Sequence, residues 1–154
     1  MQILEIMIAL ALIATLSLLG LSSYQDWREQ QALSQGIDLL RDQIELAHTL
    51  NITRGESVYL CASLDSQTCA PNWQGSIIVF TSNAPPAVDS ILSITPLPPG
   101  VQIKKVSHFH KGDYLRFMNT GEMIDNGNIQ IYLNQKVRCL NITKTGITHE
   151  VNCT

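Results

Sequence analysis

The chain of 154 residues has no lysine or arginine ahead of Arg28. That absence disfavours a secretory signal peptide, which would open on a basic stretch and end at a small-residue cleavage site followed by unrelated sequence. Other absences narrow the chemistry. There is no Cys-x-x-Cys pair and no tight Cys/His spacing, so a zinc site has no framework. There is no glycine-rich phosphate loop or dinucleotide fingerprint, and no nucleophile elbow or Cys/His context for covalent catalysis. An enzyme therefore has no residue set behind it, and neither a metal nor another cofactor is called for. No long internal repeat or low-complexity tract is visible.

What the chain does have is a long apolar opening. Between residues 6 and 21 only Thr15, Ser17 and Gly20 interrupt the apolar side chains, which as a helix gives about 24 Å of surface that is greasy all round. A spanning helix needs roughly 20 such residues, a length reached here only by counting residues 1–4 on the far side of Glu5. Glu5 is the anomaly. One reading is a first-turn acid favoured by the helix dipole and reaching for an interface. The other is a functional carboxylate that needs a positive partner, and with no cation before Arg28 the nearest is an α-amino group, its own or a neighbouring copy's.

Beyond residue 21 the pattern becomes amphipathic. Leu33, Ile37, Leu40, Ile44 and Ala47 recur at spacings of four and three with Arg41, Asp42 and Glu45 between them, which predicts a helix running on to about Leu50, some 75 Å in all. Its stripe is suited to lie under a domain. Tyr24 and Trp27 sit where the apolar run meets charge, suited to a membrane interface or to a neighbouring subunit. Gly55 marks the turn that ends the helix. From Ser57 the period is that of strands: 57–61, 75–80, 91–94, 101–106, 114–117, 128–133 and 137–142, with 149–152 able to close the sheet. The expected fold is α+β: a long N-terminal helix packed against a C-terminal antiparallel, sandwich-like β-domain. Its segments are an apolar helix over 1–23, an amphipathic continuation over 24–52 and a globular β-domain over 55–154.

Four cysteines, Cys61, Cys69, Cys139 and Cys153, allow three pairings. Proximity favours Cys61 with Cys69 and Cys139 with Cys153, and disulfides imply an oxidising compartment. The net charge of −3 argues against general nucleic-acid binding, although residues 101–154 carry seven Lys or Arg against four Asp or Glu. One basic cluster stands out, Lys104, Lys105, His108, His110 and Lys111 with Phe109 interleaved. It reads either as a solvated strand edge and loop or as a contact for phosphate or an acidic neighbour. His108 and His110 share a strand face but make no closed metal site by themselves.

The opening Met1-Gln-Ile-Leu-Glu5-Ile-Met-Ile-Ala-Leu resembles the mature N-terminus of type IV pilins and type II secretion pseudopilins. The later features follow in the order found in the GspH/FimT family of minor pilins and minor pseudopilins: residues 47–55, the strand ending at Cys61, residues 73–80, residues 115–121 and the closing strand with Gly146. The resemblance implies a β-sandwich-like domain against the second half of the helix. It also implies processing by a prepilin peptidase, N-methylation of Met1, and a Glu5 that partners the amine of residue 1 in an adjacent subunit. The expected location is the bacterial inner membrane, single-pass with a periplasmic domain, and then a surface or periplasmic filament of other pilin or pseudopilin subunits. The cysteine positions look more like the pilus branch, with a minor pseudopilin of a type II secretion system or an adhesion or DNA-uptake module as alternatives. Two departures stand out. Ser22 occupies a position where the family often has a helix-kinking proline. Some family members bind DNA through a Gly-Arg-x-Arg stretch, and the corresponding Gly146-Ile-Thr-His-Glu150 has neither arginine.

Overall fold

The structure, a computed structural model, describes residues 2–71, 73–85, 88–105, 114–124 and 126–153, with backbone alone at residues 2, 16–22 and 105. Helix α1 (Gln2–Arg54) is followed by eight strands: β1 (Val58–Ser63), β2 (Ser76–Thr81), β3 (Ser90–Pro96), β4 (Gln102–Lys105), β5 (Tyr114–Phe117), β6 (Gly127–Leu133), β7 (Lys136–Ile142) and β8 (Thr148–Val151). The helix is unbroken at Ser22, as expected of a residue that keeps the backbone donor a proline lacks. It ends at Gly55, whose φ of 67° and N–H donated to the Asn51 carbonyl close the last turn. The chain divides into two compact units, residues 1–31 and 32–154.

In the second unit the strands form two antiparallel four-stranded sheets, ordered β3-β2-β1-β5 and β4-β6-β7-β8. The helix stripe lies in the main core: Leu33, Ile37, Leu40, Ile44 and Ala47 are all buried. Burying the four larger side chains stabilises the unit by about 6–12 kcal/mol at about 1.5–3 each, an upper figure because the unfolded chain already shields some of them. They meet the alternate residues of both sheets, Val58, Leu60, Ile77, Val79, Leu115 and Phe117 from the first and Ile103, Ile129, Ile131, Leu133, Leu140 and Ile142 from the second. Gly36 allows the close approach, for a Cβ there would come within 3.1 Å of Val101.

β1 is buried along its whole length and β2 over its four central residues, because the outer face of the first sheet carries a second small core. Tyr59, Cys61, Ile78 and Phe80 pack there with Cys69. Cys61 is bonded to Cys69 and Cys139 to Cys153, the pairs that lie nearest in sequence. In the β1–β2 loop Trp73 turns back into the main core, 1% exposed, through a left-handed φ of 51°. Two residues on, Gly75 has a φ of 99°, and a Cβ there would meet the Ser63 carbonyl oxygen at 2.2 Å, so only glycine fits.

Asp65 opens the same loop. Its carboxylate accepts the backbone N–H groups of Gln67 and Thr68 and the hydroxyls of Ser63 and Thr68, at 2.9–3.0 Å. Those backbone bonds first, and then the Ser63 hydroxyl, hold its carboxyl well below the ordinary carboxylate range. A carboxyl depressed in the folded chain contributes stability above its unfolded value, near 4, and loses it as pH falls toward the folded value. The denaturant midpoint should therefore drop between about pH 4 and pH 2. Asp65→Asn should flatten that segment and lower the midpoint at pH 7 by the amount the parent loses on acidification, a small change because the group is exposed and screened. Superimposable pH profiles for the two proteins would dismiss the role.

Candidate functional site

The first unit is one helical segment, and its described side chains up to Thr15 are exposed. Ile3, Leu4, Ile6, Met7, Ile8, Leu10, Leu12 and Ile13 are each more than half exposed. They point to every side of the helix, so no single groove of this chain accounts for them. A monomer rarely leaves so much contiguous apolar surface in water, and such a surface marks a membrane or a protein partner. Glu5 stands in the first turn of this segment, exposed. Its carboxylate can draw on the helix dipole, and a cationic partner would count most where lipid or a neighbouring chain covers the collar and excludes water. Met1 lies outside the described residues. Among the described residues no helix is long and apolar enough to cross a membrane; residues 3–15 are fewer than the roughly 20 a span requires.

Within two turns of the end of the apolar run, the Tyr24 and Trp27 rings are 5.9 Å apart and both about half exposed, and the Arg28 guanidinium lies 5.9 Å from the Tyr24 ring centre. The stacking of Arg28 is a cation–π contact that the charge pattern alone does not announce, although the i, i+4 spacing carries it.

The basic cluster is only partly in view. Lys104 is exposed on the edge strand β4, opposite Gln130 of β6. Lys105 is placed in the same strand by its backbone, and His108, His110 and Lys111 lie outside the described residues. Among the described residues no group of three His, Cys, Asp or Glu could hold a metal ion. At the other edge, β8 carries His149 and Glu150, and Glu150 is already 3.3 Å from Arg138 of β7. Beside it Arg41, Glu45 and His48 of the helix and residues 145–148 line a cleft of about 320 Å³. Its one arginine faces one glutamate, so the wall offers no net positive charge to a phosphate.

This arrangement has counterparts. The sequence model of the family described as type II transport protein GspH matches residues 36–146. The fold is similar to that of the crystal structure of the type IV minor pilin FimU of Pseudomonas aeruginosa, with a TM-score of 0.58 at 14% identity, covering 81% of this chain and 89% of that one. It is also similar to the minor pseudopilin EpsH from the type 2 secretion system of Vibrio cholerae, with a TM-score of 0.52 at 11% identity, covering 80% of this chain and 95% of that one. No curated protein sequence matches the chain. The likenesses to solved structures are of fold, whereas the family match extends over more than half of the sequence. By that match and that fold, the chain belongs to the GspH/FimT family of type IV pilin-like proteins, which takes in minor pilins and minor pseudopilins.

Proposed function

We propose that the chain is a minor pilin of a type IV pilus. It is held in the bacterial inner membrane by residues 1–21 with its globular domain in the periplasm, and is then packed by the same helix into a filament or its priming tip. The observation that carries this reading is the exposed apolar collar of residues 3–15 around Glu5. Prepilin peptidase would generate the amine of Met1, which is then methylated. In the filament Glu5 neutralises that amine on an adjacent subunit, and pairing in an apolar surround sets axial register. The positions of Cys61, Cys69 and the C-terminal cysteines, which resemble those of the pilus branch, support the pilus over the secretion filament.

A second reading, minor pseudopilin of a type II secretion system, draws on the family description and on the likeness to EpsH. DNA uptake has less behind it: Lys104 is exposed, but Ile147 and His149 stand where relatives that bind DNA place arginine, and the adjoining Glu150, paired with Arg138, repels a phosphate.

A deletion strain separates the first two. Loss of surface pili with enzyme export intact is the expected result; loss of export with pili intact would transfer the chain to the secretion machine. Complementation with Glu5→Val should restore the protein to the membrane. Its amount in sheared filaments should fall by roughly two to four orders of magnitude, since stranding one charge of a buried pair costs about 3–5 kcal/mol. Normal incorporation of the variant would remove Glu5 from the assembly.

A further inference from the structure

We propose that a polar cleft at one end of the first sheet binds a single neutral sugar unit. The cleft is about 380 Å³ and is walled by Glu56 and Ser57 ahead of β1, Ser82 and Asn83 after β2, Asp89 ahead of β3, and Arg116 of β5. Strand register gathers them, because Tyr59 pairs with Phe80 on one side and with Arg116 on the other. The Arg116 guanidinium lies 5.7 Å from the centre of the Tyr59 ring, and its Nε has no acceptor among the described residues. The carboxylates are engaged in part: Glu56 is 3.5 Å from Arg54, and Asp89 accepts the Asn83 backbone N–H at 2.7 Å.

Other ligand classes meet opposition at this wall. An apolar molecule would strip water from a guanidinium and two carboxylates without replacing the lost hydrogen bonds. A free cation meets Arg116, and an anion meets Glu56 and Asp89. The chemistry that suits all six residues is a set of neighbouring hydroxyls, since each hydroxyl both donates and accepts. Such groups can donate to the carboxylates and the Asn83 carbonyl oxygen while accepting from Arg116 and the Asn83 amide. A pyranose ring presents them on adjacent carbons without net charge. The volume stands at the low end of small-molecule sites, which suits one ring. The same hydroxyls occur on a free monosaccharide and at the end of a surface glycan. The site stands whether the chain serves a pilus or a secretion filament.

The test is a titration of the full-length chain in a zwitterionic, sugar-free detergent, followed by backbone amide shifts. The probes are glucose, galactose, N-acetylglucosamine and a neutral oligosaccharide ending in each, with acetate and tetramethylammonium as charged controls. At least one sugar should shift amides around Ser57, Ser82, Asn83 and Arg116, with a dissociation constant on the order of 1 mM, the range of a few neutral hydrogen bonds. Equal affinity for the oligosaccharide would identify a glycan end as an acceptable source, and exclusion of the oligosaccharide a free sugar. Asn83→Ala, at an exposed position whose backbone bond to Asp89 survives, should weaken binding roughly two- to tenfold. Arg116→Gln should weaken it comparably. The proposal fails if no sugar moves these amides at about 50 mM, if acetate or tetramethylammonium binds more tightly than every sugar, or if both variants bind as the parent does.

Discussion

Trp73→Ala is expected to cost the globular unit about 3–5 kcal/mol, a large part of the 5–15 kcal/mol that typically separates folded from unfolded domains. The indole is 1% exposed and packs in the core beneath the helix stripe, so truncation both forfeits its burial and leaves a cavity that the surrounding sheets can only partly close. Trp73→Phe separates packing from polarity. Nε1 has no hydrogen-bond partner among the described residues, and phenylalanine removes that buried donor, which recovers part of the lost burial energy. The phenylalanine variant should thus lie much nearer the parent than alanine does. Denaturant midpoints of the three proteins decide the matter; a loss below about 1 kcal/mol for alanine would mean that the indole does not occupy the core in solution.

Removing the Cys139–Cys153 bond should have the next largest effect. The bond joins residues 14 apart, a loop whose closure in the unfolded chain is worth about 3 kcal/mol in the chain-entropy account. Little else holds the last strand. β8 spans four residues paired with β7 alone, and its ion pair from Glu150 to Arg138 is nearly half exposed on both sides, a class of contact worth about 0–1 kcal/mol. Cys139→Ser with Cys153→Ser should lower the melting temperature by on the order of 10 °C, and a thiol reductant should do the same to the parent. The shorter Cys61–Cys69 bridge, eight residues apart, restrains less chain, so its entropic share is smaller. An unchanged melting temperature in the first double variant would mean that β8 is held without its covalent tie.

Much of the fold is legible in one dimension. The stripe from Leu33 to Ala47 announces its burial because helix geometry returns those positions to one side, and each of the five is buried. Ile129, Ile131 and Leu133 of β6 do the same at a period of two. The strand spacing does not reveal which strand joins which sheet, since that depends on contacts far apart in sequence. Nor does it place Trp73, where a left-handed residue between two polar stretches reverses the chain and overrides local composition. Asn51 reads as part of the helix end, but its Nδ2 donates to the carbonyls of Glu56 and Phe117 and ties that end to β5. On the functional side, Glu5 is conspicuous as a charge among apolar residues. Arg116 is not, because a lone arginine in a strand has no pattern until Tyr59 is set beside it.

The order of the strands in the two sheets bears on how the chain folds as it is synthesised. After β3 the chain crosses to the second sheet for β4, returns to the first for β5, and crosses again for β6. The first sheet therefore lacks an edge until residue 117 has been delivered, and by then part of the second sheet is already waiting for partners. Neither sheet is an autonomous module that could be shuffled, deleted or duplicated on its own. A chain cut anywhere between β4 and β8 leaves open strand edges that invite pairing with other chains. A truncated copy exposes β1, β4, β6 or β7 along an edge that is paired in the complete chain, and misassembly starts there.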